Sequence, residues 1–269
     1  MNGLHAILAL KGIIKRELWR FLLQRERFVA ALVRPLVWLF VFAAGFRSTL
    51  GIAIIPPYET YILYEVYITV GLIGMILFFN GMQSSLSMVY DREMGSMKTL
   101  LVTPLPRWFL LMGKLMAGTF VSILQAYVFL LIAWFYDIHA PWHGYITLFP
   151  ALVLAGLMLG ALGMLLSSFI NQLENFAGVM NFVIFPMFFM STALYPLWKI
   201  KESSELLFTL ASYNPFSQAV ELLRFALYGQ FNLYAFSYTF MAFIVFMALA
   251  VWGYNPSKGM MVKKGGGPS

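Results

Sequence analysis

Residues able to do covalent chemistry are few in this chain, and their spacing argues against most of it. There is no Cys, which removes disulfides, thiolate nucleophiles, Cys-ligated zinc and iron–sulfur clusters together. His139 and His143 stand four apart, as a helical metal pair would, but Pro141 lies between them and Asp137 is the only carboxylate nearby. A turn or interfacial role suits them better than a metal. His5 belongs to the N-terminal tail and no Ser sits in a G-x-S-x-G turn, so no hydrolytic triad assembles. A phosphate-binding G-x-x-x-x-G-K-[ST] loop is absent, and Gly113-Lys114 is followed by Leu115 inside an apolar run. The expectation is a chain that is not an enzyme and that binds no metal, nucleotide or other cofactor itself.

Ionisable residues inside apolar runs are the next place to look for function. Arg34 and Arg47 bracket the first run, Glu65 lies near the start of the second, and Glu174 sits in the short turn Asn171–Asn175. Arg34, just before Pro35 at the inner end of its run, reads as a cation that snorkels to the phosphate layer or, as the alternative, pairs with an acid on the interface helix. With no acid or base expected near a midplane, an ion-gradient-driven carrier or channel is the weaker alternative, and Glu65 is its sole candidate coupling group. In the fifth run Asn181, Pro186 and Ser191, followed by Thr192, mark a candidate substrate path; a proline there also serves as a purely structural kink.

The elements holding these residues follow from composition. Of 269 residues, 61% are hydrophobic and 11% charged, and the mean hydropathy is +0.80, against about 25% charged in a soluble domain. That much apolar surface requires lipid to cover it. Runs long enough to cross about 30 Å of hydrocarbon occur at about 28–47, 61–89, 107–136, 146–170, 175–195 and 232–254. The expected fold class is therefore an all-α membrane protein with six transmembrane helices, forming one domain over residues 1–269. Gly71, Gly74, Gly156, Gly160 and Gly163 fall within these runs and allow helices to approach closely.

Before the first run, Lys11, Lys15, Arg16, Arg20 and Arg27 recur at helical spacing with Leu10, Ile14, Leu18 and Phe21 on another side. This predicts an amphipathic helix at about 9–27 lying in the interface plane. No cleavage site follows it. Alternate loops divide Lys and Arg fourteen to four, and the positive-inside rule puts both termini in the cytoplasm. The net charge of +7 thus reflects topology rather than a nucleic-acid partner. Residues 196–231 are too long for a turn and too apolar for a solvated loop. With Asn214-Pro215 as a breaker, they predict two short helices that enter the outer leaflet and return before the last span. The tail at about 257–269 ends in Gly-Gly-Gly-Pro-Ser and is expected to be flexible.

The loop between the second and third runs carries Asp91, Arg92, Glu93, Met94, Gly95 and Ser96, then Leu100, Thr103 and Pro104. Its prolines stop a helix there. Arg92-Glu93-Met94-Gly95-Ser96 with Leu100 and Thr103-Pro104 resembles the R-E-x-G-[ST] … L-x-x-[ST]-P coupling helix of the ATP-binding-cassette type-2 exporter permeases. Asn214-Pro215, Glu221, Arg224 and Gly229 are similar to that family's outer re-entrant motif, and the resemblance covers about residues 9 to 255.

The resemblance implies a permease of the bacterial-type inner membrane whose inner loop docks on a separate cassette ATPase. It implies two permeases and two ATPases, as a homodimer or with a sister permease, with ATP and Mg bound on the ATPase subunits and spans one and five as candidate dimer faces. The implied cargo is an amphiphilic, lipid-linked or glycosylated compound moved outward.

Overall fold

The computed structural model describes residues 25–42, 56–60, 62–93, 106–170 and 172–254, with isolated positions 11, 12, 15, 19 and 45. All but isolated positions of the expected interface helix, and the whole C-terminal tail, lie outside the described residues.

Helix starts follow local chemistry. Proline supplies the extended residue ahead of α3 (Arg107–Phe135), α4 (Trp142–Phe169) and α6 (Leu197–Ser203), at Pro106, Pro141 and Pro196. Proline cannot continue a preceding helix but fits a helix entry. Ser204 caps α7 (Glu205–Tyr213), Asn214 caps α8 (Pro215–Leu227) and Asn232 caps α9 (Leu233–Gly253), each side chain accepting an N–H of the first turn. The remaining helices are α1 (Arg25–Val37), which runs on through a π-helical turn at Trp38–Phe42, α2 (Tyr64–Glu93) and α5 (Leu173–Phe189). No strand occurs among the described residues.

Four of these helices are long and apolar enough to cross a bilayer: Tyr64–Tyr90, Trp108–Phe135, Trp142–Phe169 and Leu233–Gly253. Trp108 and Trp134 lie near opposite ends of α3, a separation of about 39 Å at 1.5 Å per residue. Both are exposed, and that spacing suits a pair of interfacial aromatic belts. The first expected span is described to Phe42, with apolar helix over Ala31–Val41, and beyond it lies mostly outside the described residues; the fifth is shorter than expected, with apolar helix over Leu173–Phe189. The fifth ends at Phe189 because the chain at 190–195 leaves the helix to bond laterally with α2 and α8. Residues 197–227 hold three short helices where two were expected, because Ser204 opens a new helix within the first of them.

The core is built around α2 and α4. Nearly all of α2 is buried, whereas α9 presents Met241, Ile244, Val245 and Trp252 outward, a face that only lipid or another chain can cover. Small residues bring the helices together. A Cβ on Gly81 would lie 3.0 Å from the Gly160 backbone, and one on Gly156 would lie 2.7 Å from the Thr119 methyl. Within this core Asn80 on α2 donates a side-chain hydrogen bond to Gln125 on α3.

Candidate functional site

At the Tyr64 end of the bundle, polar groups from four segments converge on one guanidinium. Arg224 on α8 is 1% exposed. Its Nη1 donates to the Glu221 carboxylate one turn earlier, and its Nη2 donates to the Thr192 carbonyl at 2.9 Å. The Tyr67 hydroxyl on α2 donates to the same Thr192 carbonyl at 2.8 Å, and the guanidinium carbon stands 4.0 Å from the centre of the Tyr67 ring. Thr192 lies in the turn after α5, and this turn is held to α8 again by Thr192 N–H to Ser217 Oγ and Thr192 Oγ1 to the Ser217 carbonyl.

Asn214 closes the arrangement. Its side-chain oxygen accepts the Phe216 N–H, while its Nδ2 donates to the Met187 and Met190 carbonyls, 2.7 Å each. Those two carbonyls belong to the C-terminal end of α5, where intrahelical partners run out. One Asn thus starts α8 and finishes α5, and Pro215 at the first helical position fixes the direction of α8. Two glycines let the backbones meet: a Cβ at Gly71 would collide with the Ala193 carbonyl, and one at Gly144 with the Leu227 carbonyl.

Tyr58 and Tyr228 pack edge to face beside Arg224, with ring centres 4.7 Å apart. Burial pushes the Tyr58 phenol up, against the pull of Arg224, and pushes Tyr228 up to about 12, again against Arg224. Both phenols therefore stay neutral, which leaves Glu221 as the counter-charge of Arg224 among the described residues. A buried cation with one carboxylate, one carbonyl and an aromatic face is held in place rather than offered to a proton.

The candidate substrate path is not one place in the structure. Asn181 is exposed on α5, Pro186 is half-buried inside that helix, and Ser191 is fully buried. Ser191 spends its hydroxyl on its own turn, donating to the Phe188 carbonyl and accepting the Ala193 N–H. Asp91, Arg92 and Glu93 form the last residues of α2, but their side chains, and Met94, Gly95, Ser96, Leu100, Thr103 and Pro104, lie outside the described residues. Sequence reasoning passed over Tyr67 and the Asn80–Gln125 pair; an amide in the middle of an apolar run was the signal available for the latter.

The sequence is also similar to known proteins. The sequence model of a family described as ABC-2 type transporter matches residues 9–228. A putative transport permease ycf38 of Porphyra purpurea is 27% identical over 212 residues, covering 78% of this chain and 69% of the relative. Its counterpart in Pyropia yezoensis is 27% identical over 230 residues, covering 83% and 75%. A probable multidrug ABC transporter permease, YbhR of Escherichia coli strain K12, is 36% identical over 125 residues, covering 45% of this chain and 33% of that protein.

Proposed function

The chain belongs to the ABC-2 type transporter family, and from that premise we propose that it is the membrane permease of an ATP-driven exporter of amphiphilic, lipid-linked or glycosylated compounds. ATP and Mg are bound and hydrolysed by a separate cassette ATPase, present in two copies, and two permeases pair as a homodimer or with a sister chain. Both termini face the cytoplasm of a bacterial-type inner membrane, and the six apolar helical segments all cross it. Residues 197–227 form the re-entrant outer cap.

The observation that carries this reading is the continuity of α2. One helix of 30 residues joins the Arg224 cluster to Asp91, Arg92 and Glu93, where the family's coupling stretch begins. A partner that changes shape on nucleotide binding can act on the far end only through such a rigid element. In this reading the charges of Asp91, Arg92 and Glu93 register the dock, Met94 and Leu100 fill an apolar groove, and Gly95, Ser96, Thr103 and Pro104 shape the turn.

Purification of the tagged chain from its native cells in mild detergent, followed by an ATPase assay on the eluate, tests the proposal. A stoichiometric cassette ATPase is expected, lost when Arg92→Glu is combined with Glu93→Lys while the permease itself stays folded. An oligomer free of ATPase, or full stimulated activity in the double variant, would overturn it.

A further inference from the structure

A second guanidinium stands in the bundle without the fittings of the first. Arg34 on α1 is exposed, and its guanidinium carbon lies 3.9 Å from the centre of the Phe79 ring. No carboxylate pairs with it among the described residues. Phe79 is fifteen residues from Tyr64 and eleven from Tyr90, the ends of the α2 span. The guanidinium therefore sits about 22 Å and 17 Å along the helix from those ends. An open charge set between apolar helices calls for water or a polar occupant.

The cleft in front of it is built from two facing stripes at helical spacing, Ala31, Arg34 and Pro35 on α1 and Phe79, Asn80 and Gln83 on α2. Its volume is about 100 Å³, room for a head group and well short of the 300 Å³ or more that a whole drug-sized ligand takes. Its polar lining is a cation and two amides, a set that suits an anion. Beside it runs an apolar shelf. Phe185 on α5 packs against Phe79 with ring centres 6.4 Å apart, and Phe185 stacks on Phe189, which meets Trp38 at 5.9 Å. Phe182, one turn from Phe185, is 79% exposed.

We infer that this cleft binds the anionic head group, a phosphate or carboxylate, of a single-chain amphiphile whose tail lies along the Phe182–Phe185–Phe189 face. Arg34 supplies the charge, Gln83 and the Asn80 amide hydrogen not given to Gln125 supply the hydrogen bonds, and the Phe79 ring fixes the plane of the guanidinium. This rests on the exporter reading and narrows its cargo to anionic amphiphiles.

The test uses the purified full chain in phosphatidylcholine nanodiscs with radiolabelled dodecyl phosphate as the probe. Saturable binding is expected, weakened about ten-fold or more in Arg34→Gln, and by a few-fold in Gln83→Ala and in Arg34→Lys, which keeps the charge but not the stacked plane. Inorganic phosphate is expected to compete only at about a hundred-fold higher concentration, and dodecyl maltoside not at all. Unchanged affinity in Arg34→Gln, displacement by dodecyl maltoside, or inorganic phosphate binding as tightly as the probe would each overturn the inference. Because binding is read without ATP, the two readings fail separately. An ATPase that co-purifies with a chain whose probe binding ignores Arg34 removes the cleft alone; Arg34-dependent binding to a chain that recruits no ATPase removes the exporter instead.

Discussion

Arg224 and Arg34 are both cations among apolar helices, and the chain treats them in opposite ways. Around Arg224 it spends a carboxylate, a carbonyl, a tyrosine face and an asparagine-anchored turn, and the guanidinium is sealed from solvent. Around Arg34, among the described residues, it places one aromatic ring and leaves the charge open. A cation buried in a membrane helix costs about 3 kcal/mol on insertion scales, and a ring face at an exposed site returns about 0.5–1 kcal/mol. The first arrangement meets its charge from within, though the Arg224 Nε and the Tyr58 hydroxyl keep no hydrogen-bond partner among the described residues, and serves to lock segments together; the second is left to be completed from outside. Burial of charge, taken alone, would have ranked them the other way as functional candidates.

The widest gap between the two regions is expected on removal of charge. Glu221→Gln leaves Arg224 buried against a neutral partner and is expected to lower stability by about 3–5 kcal/mol, read as thermal unfolding in detergent. Adding Arg224→Met to it should recover most of that loss. Arg34→Gln, in the same assay, is expected to shift stability by less than about 1 kcal/mol; a loss as large as that of Glu221→Gln would erase the distinction. Next in size, Gly144→Ala and Gly71→Ala press a methyl into the backbone that carries the Arg224 cluster and should cost about 2 kcal/mol each. Smaller again, Asn214→Ala removes a helix cap together with the bonds to Met187 and Met190, a loss of about 1–2 kcal/mol. The smallest effect has the opposite sign. A Cβ on Gly178, inside α5, meets nothing within 4 Å, so Gly178→Ala should stabilise by about 0.5–1 kcal/mol, and a loss there would mean that this face is covered.

The division between what was legible in the sequence and what was not follows the range of the interactions. The break at Asn214-Pro215 is a local event that residue type with position suffices to read, whereas the start of α4 at Trp142 lies four residues before the run expected from about 146. The end of α5 is not local: Met190–Tyr195 continues an apolar run, yet its backbone is claimed by Asn214, Ser217 and Arg224, which come more than twenty residues later. Asn214, Glu221 and Arg224 were singled out through a family motif, but their joint purpose, holding Thr192 against Tyr67, has no expression in spacing. The packing of Arg34 is non-local in the same way. Counting apolar residues puts it at the end of its run, and only the packing of α1 on α2 shows its head resting on Phe79.

The near-contact of Gly81 with Gly160 has a mechanical side. It lies about 26 Å from the Tyr64 end of α2 and about 18 Å from the Glu93 end, and so makes a fulcrum with unequal arms. A tilt of about 5° about that point displaces Glu93 by about 1.5 Å and Tyr64 by about 2 Å in the opposite sense. The 2.8 Å hydrogen bond that Thr192 accepts from Tyr67 on α2 does not survive a 2 Å stretch. The longer arm therefore either breaks the seal at its tip or drags α8 and the end of α5 along with it.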